Sequence, residues 1–160
     1  MEIDNKKLVY RKMGENDLDI FVKLRLEFLS EMNQDLTEKN KVKIIDSLKK
    51  YYVKCLSKNE FIGIICEYNN IIVSTAFLAI NEKPANYYSI NGKTGTLLNV
   101  YTFPEYRKNG ISTCILKIIV EEAKKQNVFD IELLATKDGE KLYENIGFTV
   151  PEKKYMELIL

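Results

Sequence analysis

At 160 residues, with 46% hydrophobic and 29% charged residues and a formal charge of +1, the chain has the make-up of one globular domain and no global pull toward nucleic acid or membrane. It contains no histidine, which excludes Ser-His-Asp and Cys-His nucleophile systems, histidine metal sites and histidine general bases. Any acid or base must therefore be a carboxylate, tyrosine, lysine or cysteine.

The first sixteen residues lack a hydrophobic signal core, and no apolar run approaches the roughly 20 residues that span a bilayer. Cys55, Cys66 and Cys114 stand far apart among apolar neighbours with no C-x-x-C pair, which predicts buried thiols in a reducing compartment and no zinc site. The expectation is a cytoplasmic protein without membrane or nucleic-acid partners.

"LVYRKM" at 8–13 alternates as a half-buried strand does, and Gly14 ends it. From Asn16 or Asp17 to Met32 the pattern is helical: Leu18, Phe21, Val22, Phe28, Leu29 and Met32 share a stripe, Asn16 is the candidate cap, and Arg25 falls mid-stripe. A second helix over 38–56 puts Ile45, Leu48, Tyr52, Cys55 and Leu56 on one face and Lys39, Lys43, Lys50 and Lys54 on another. That lysine face lacks interleaved stacking aromatics, so it reads as solvated rather than as a nucleic-acid surface.

"EFIGIICEYN" (60–69) and "IIVSTAFLAI" (71–80) are two β-rich runs with a hairpin turn at Asn69-Asn70. The loop "NEKPANYYSINGKTG" (81–95) is long enough to be mobile or functional. "TLLNVYTF" (96–103) shows little alternation, which predicts a strand buried on both faces, stopped by Pro104. The helix from Gly110 to about Gln126 carries Ile111, Cys114, Ile115, Ile118, Ile119 and Ala123 inward. "FDIELLA" (129–135) predicts another buried strand, "DGEKLYENIG" (138–147) a short helix capped by Gly147, and "KYMELIL" (154–160) a closing strand. The order β-α-α-β-β-β-α-β-α-β implies a single α+β domain over 1–160, three layers α/β/α, whose sheet is mixed: mostly antiparallel, with one parallel β-α-β unit over 96–135.

The junction "PEYRKNGIS" (104–112) concentrates chemistry. A strand that ends, a tight glycine turn and a helix that starts at once leave several backbone N–H groups unpaired and aimed at one point. The positive end of the helix dipole stands behind them and Arg107 and Lys108 beside them, which makes a phosphate site. A Cβ at Gly110 would keep an anion from the backbone, and Ser112 and Thr113 carry hydroxyls that could add donors. The pattern is neither a nucleoside-triphosphate loop nor a dinucleotide fingerprint.

"LLNVYTFPEYRKNGIS", followed by a helix, a strand and "ATKDGEKLYENIGF", resembles the GNAT family of acyl-CoA-dependent N-acyltransferases over about residues 60–150. The resemblance implies the GNAT fold and transfer of an acetyl or other short acyl group from acetyl-CoA to a primary amine, by direct attack in a ternary complex without a metal. It implies that Arg107, Lys108, Asn109, Gly110, Ile111 and Ser112 surround the pyrophosphate of coenzyme A. Backbone groups of Val100, Tyr101 and Thr102 would meet the pantetheine and acyl carbonyl, in a cleft where strand 96–103 splays from strand 129–135. Tyr143 stands where many members carry the tyrosine that protonates the departing thiolate, and a phenol of ordinary pKa ~10 holds its proton at neutral pH. Thr136 stands where many members have an asparagine, and offers a shorter hydroxyl.

Some members place a carboxylate on the strand leading to the turn; here that strand carries Asn99, which cannot accept a proton at useful pH. Glu27, Glu67 or a water chain could replace it, and no base is assigned. Arg25 either lays its stem on the core and its head in water, or holds an acceptor carboxylate or nearby acidic side chain beside the cleft. Cys114 is expected in the core rather than as a nucleophile. The acceptor is a small-molecule or peptide amine, and a homodimer is the commonest assembly open to the chain. The alternative function is a non-catalytic acyl-CoA sensor or interaction domain that keeps the turn and has lost the chemistry.

Overall fold

The structure, a computed structural model, describes residues 3–32, 37–152 and 154–160. Its elements are β1 (Leu8–Lys12), α1 (Leu18–Glu31), α2 (Glu38–Ser57), β2 (Phe61–Tyr68), β3 (Ile71–Glu82), β4 (Lys93–Thr102), α3 (Ile111–Lys125), β5 (Asp130–Glu132) and α4 (Glu140–Glu144). The five strands lie in sequence order in one sheet, antiparallel from β1 to β4, with β5 parallel to β4.

Two cores sandwich this sheet, giving the expected three layers. On one face α3 sets Ile111, Ile115, Leu116 and Ile119 against Ile64, Val73, Ala76 and Leu78. On the other, α1 and α2 bring Phe21, Leu24, Tyr52 and Cys55 onto Phe61, Ile65 and Phe77. Phe21 is the aromatic hub of the second core, with ring centroids 4.7 Å from Tyr52 and 5.0 Å from Phe77. Among the described residues no helix is long and apolar enough to cross a membrane.

Local chemistry explains the turns. Asn69 and Asn70 both take left-handed backbone, φ 51° and 64°, as a two-residue hairpin of this twist requires. Gly147 accompanies the end of α4: its N–H donates to Glu144 O and that of Phe148 to Tyr143 O, satisfying two carbonyls the helix leaves open. α1 starts after a 3-10 turn over Glu15–Asp17, and Asp17, not Asn16, organises it. The buried Asp17 carboxylate accepts from the Gly14 N–H at 2.8 Å and from Arg11 Nη1 and Nη2 at 2.8 and 2.9 Å.

Several expectations need correction. Cys55 and Cys66 are buried, but Cys114 is exposed: three places after Ile111 and one before Ile115, it lies on the flank of a stripe that Leu116 pulls the other way. On α1, Leu24 is buried instead of Met32, which follows the helix and is exposed. The loop shortens to 83–92 because β3 and β4 extend into it. β5 spans three residues instead of seven, and Phe129 and Leu134 beside it are exposed. The described residues of 154–160 form no strand and expose Tyr155, Met156, Leu158, Ile159 and Leu160, so β5 has no outer partner to bury it.

β4 is not the uninterrupted strand its low alternation predicts. Leu97 pairs with Leu78 on the α3 face and Leu98 with Phe77 on the α1/α2 face, after which the register slips. Asn99 takes φ 54° and also turns its side chain to α1, donating from Nδ2 to Leu24 O at 3.4 Å. Two consecutive side chains on one face make a β-bulge. Beyond it the alternation is inverted: Val100 and Thr102 face α3, and Tyr101 faces α1.

Candidate functional site

The cleft begins where β5 leaves β4. Pairing covers Thr94, Gly95 and Thr96 alone, against Asp130, Ile131 and Glu132. From Leu97 onward, among the described residues, the β5-side edge of β4 has no strand beside it. Val100, Tyr101 and Thr102 lie on that open stretch, just past the bulge.

The edge leads into the turn before α3. Lys108 and Gly110 are left-handed, φ 63° and 75°, and Asn109 between them is not. Alternating backbone of this kind points successive N–H groups into one concavity. Among the described residues, no backbone or side-chain acceptor takes the N–H groups of residues 108–113, Cys114 being the first to bond back, to Gly110 O at 3.1 Å. Asn109 braces the turn by donating from Nδ2 to Tyr106 O and Arg107 O, at 3.1 and 3.0 Å. A Cβ on Gly110 would have no atom within 4 Å, so glycine is required there by its φ and by the space in front of it, not by crowding. Unpaired donors, a helix N-terminus and open space fit the diphosphate of a nucleotide-bearing cofactor.

A chain of hydroxyls ties turn to strand. Ser74 Oγ donates to Tyr101 O at 2.9 Å and lies 2.6 Å from Thr102 Oγ1, which lies 2.8 Å from Ser112 Oγ. Each hydroxyl has one proton. With Ser74's on the carbonyl, Thr102 donates to Ser74 and Ser112 to Thr102. Ser112 therefore faces the nest as an acceptor only, and of the two hydroxyls expected as donors Thr113 is the one without a hydrogen-bond partner among the described residues.

The Arg107 side chain turns to the other layer. Nε donates to Thr102 O at 2.8 Å, Nη2 donates to both oxygens of Glu31 at 2.6 and 2.7 Å, and the guanidinium carbon is 5.8 Å from the Tyr101 ring centroid. Burial, then the Glu31 carboxylate, push the Tyr101 phenol above its ordinary value.

On the α1 side of the bulge stands Arg25. Nη1 donates to Asn99 Oδ1 at 3.4 Å, and the guanidinium carbon sits 5.6 Å from the Phe28 ring centroid. Among the described residues no carboxylate lies within ion-pair distance, and burial pulls the guanidinium below its ordinary pKa. The Asn99 amide joins the two elements by accepting from Arg25 and donating to Leu24. Of the carboxylates weighed as bases, Glu67 is bound to Arg11 at 2.9 Å on β2, two strands from β4; Glu27 is exposed on α1.

Tyr143 and Thr136 meet around Gly139. A Cβ built there would stand 2.9 Å from Tyr143 Cε2 and 3.4 Å from Thr136 Oγ1. Tyr143 packs edge-on to Phe148 with centroids 5.9 Å apart, and burial raises its pKa, so the phenol is protonated throughout the neutral range. Its hydroxyl has no partner among the described residues. Val100 and Tyr143 flank the same core from strand and helix. A cavity of about 340 Å³ lined by Val120, Ala123, Val128, Ile131, Ile146 and Phe148 lies beside the C-terminal half of α3 and shares Phe148 with the packing of Tyr143.

The bulge itself had a sequence signal that strand reading overlooked: an asparagine inside an apolar run, where alternation stops. The Glu31–Arg107 pair had none, since 76 residues separate the partners.

A family model described as an acetyltransferase (GNAT) domain matches residues 59–150. Among solved structures, a predicted acetyltransferase from Clostridium acetobutylicum, determined with acetyl-CoA, is 32% identical over 95% of this chain and 96% of its own, with a TM-score of 0.85. A GCN5-related N-acetyltransferase from Ralstonia eutropha JMP134 shares the fold at 20% identity, over 94% and 98% of the two chains, with a TM-score of 0.79. An aminoglycoside acetyltransferase from an uncultured soil metagenomic sample does so at 16% identity, over 98% and 97%, with a TM-score of 0.73. No curated protein matches the chain.

Proposed function

The chain belongs to the GNAT acetyltransferase family, and we propose that it moves the acetyl group of acetyl-CoA to a primary amine within a ternary complex. One observation carries the reading: the N–H groups of residues 108–113, without acceptors among the described residues, stand at the end of an open β4 edge. Such a track suits a long cofactor with a diphosphate at one end and an amide-bearing arm along the strand.

In this reading the backbone of Lys108 to Thr113 and the Lys108 ammonium hold the diphosphate. Arg107 and Asn109 shape the turn, and Gly110 leaves room. Backbone groups of Val100, Tyr101 and Thr102 take the arm, with Thr136 across the cleft. Acetyl-CoA, when bound, supplies the acyl group as a thioester. Tyr143 keeps its proton at neutral pH and is the group that can donate it at the mouth of the cleft. The acceptor enters from the α1 side, where Arg25 holds an anionic group on it beside the bulge. No side chain is assigned as base, so the amine arrives unprotonated.

The test is thiol release from acetyl-CoA with a panel of polyamines, amino acids, aminoglycosides and peptide N-termini. Release with an amine supports the reading. Binding of acetyl-CoA without release for any amine assigns the chain instead to acyl-CoA sensing, and failure of acetyl-CoA to bind or stabilise the fold overturns both.

A further inference from the structure

We infer that Glu31 and Arg107 form a tie between the acceptor-side helix and the cofactor turn, and that Arg107 acts through this tie rather than by giving its charge to the diphosphate. The inference rests on the reading of the 107–113 turn as the diphosphate site. Glu31 is the last residue of α1, and Arg107 is the first residue after the 3-10 turn Pro104–Tyr106. The guanidinium makes three hydrogen bonds, two to the Glu31 carboxylate and one to Thr102 O. Its positive charge is thus matched by a bidentate anion before any cofactor arrives.

Position agrees with charge. The guanidinium stacks near Tyr101, on the α1 face of β4, while the N–H nest opens at the start of α3 on the other layer. Thr102 joins the two systems: its carbonyl takes Arg107 Nε and its hydroxyl takes Ser112. Arg107 and the hydroxyl chain therefore clamp the last residue of β4 from both faces. Through Glu31 that clamp extends to α1, the helix that carries Arg25. Glu31 and Arg107 are positioning residues for both substrates.

The competing geometry is a latch, in which Glu31 withholds Arg107 until the diphosphate draws it away. The two differ in sign for Glu31→Gln. A tie predicts weaker coenzyme A binding and a higher acceptor KM, each by about threefold to fivefold because the pair is half exposed, with kcat retained. A latch predicts coenzyme A binding tighter than in the parent.

The experiment measures coenzyme A affinity, acceptor KM and kcat for the parent, Glu31→Gln, Arg107→Gln and the double variant. Each is assayed with acetyl-CoA and with acetyl-pantetheine, which lacks the diphosphate. The tie is supported if the double variant is no worse than Arg107→Gln and the Arg107→Gln loss appears with both donors. It is overturned if Glu31→Gln binds coenzyme A as well as or better than the parent, if the losses add, or if the Arg107→Gln loss is confined to acetyl-CoA. Glu31→Asp, which keeps the charge, should restore part of the loss; no restoration also counts against the tie. Failure of the parent itself to bind coenzyme A would instead strike the functional reading above.

Discussion

Ser112 Oγ and Thr102 Oγ1 stand 2.8 Å apart, and the proton count along Ser74, Thr102 and Ser112 makes Ser112 the donor of that bond. Its hydroxyl proton is therefore turned inward. Ser112→Ala should lower stability by about 1 kcal/mol and weaken coenzyme A by less than about threefold. Thr113→Val, which removes the hydroxyl without a partner, should weaken coenzyme A by about threefold to tenfold with little change in stability. Titration calorimetry and thermal melts of the two variants check the contrast; the reverse order would show that the hydroxyl chain runs the other way.

Tyr143→Phe should lower kcat by about 100-fold or more while coenzyme A affinity stays at the parent value. The fold should tolerate it, because the hydroxyl has no partner among the described residues and the ring keeps its packing on Phe148. Since burial raises the phenol pKa, the parent's kcat should show no alkaline loss from this group below the ordinary phenol range. Turnover near the parent rate in the variant removes Tyr143 as the acid.

At Gly110 two substitutions separate backbone strain from blockage. A β-branched residue resists φ 75°, so Gly110→Val should cost about 2 kcal/mol of stability and also weaken coenzyme A. Gly110→Asn tolerates the left-handed backbone, so it should lose about half as much stability or less, yet still fill the space before the nest and weaken coenzyme A comparably. If Asn binds coenzyme A like the parent, the diphosphate does not approach residue 110.

Arg25→Ala should raise the acceptor KM by about tenfold to a hundredfold, the worth of a charged hydrogen-bonded contact, and leave acetyl-CoA affinity unchanged. Arg25→Lys should recover only part of this, since an ammonium cannot present the planar fork. Steady-state kinetics with both substrates varied gives the answer. Equal effects on donor and acceptor, or no effect, would return Arg25 to a purely structural role at Asn99 and Phe28.

Away from the site, acid stability should depend on Asp17. The Arg11 guanidinium, helped by the Gly14 N–H, holds its carboxyl below the ordinary 3.8. A lowered folded pKa contributes stability that is complete above the unfolded value and disappears as pH falls through the folded one. Asp17→Asn should therefore cost about 1–3 kcal/mol at pH 7 and flatten the stability curve below about pH 4. Urea melts from pH 2 to 7 read both effects.

The layers were legible because periodicity and punctuation agreed: apolar stripes marked the helices, and Asn69-Asn70, Pro104 and Gly147 marked ends whose backbone needs those residues. The turn was legible for the same reason, as a local motif with a mechanism, whereas Tyr143 came forward only through the resemblance to the family. The errors have one physical source: burial belongs to partners, not to runs. "FDIELLA" reads as buried only if something covers it, and Cys114 reads as core only if the stripe is centred one place earlier than Leu116 sets it. The Arg107–Glu31 and Arg25–Asn99 contacts join residues 76 and 74 positions apart, and a pattern within one segment carries no trace of them.

The bulge at Asn99 works like an absorbed insertion in the strand. With one residue more in β4 than in the stretch of β3 beside it, the faces after it, Tyr101 toward α1 and Thr102 toward Ser112, hold because residue 99 bulges onto the face of Leu98. Selection at position 99 should therefore act on tolerance of left-handed backbone. Another residue that accepts left-handed backbone can replace Asn99 and keep the frame. Deleting it would leave Val100 and Thr102 toward α3 and Tyr101 toward α1, in regular alternation after Leu98, and would instead take away the amide that links β4 to Arg25 and Leu24.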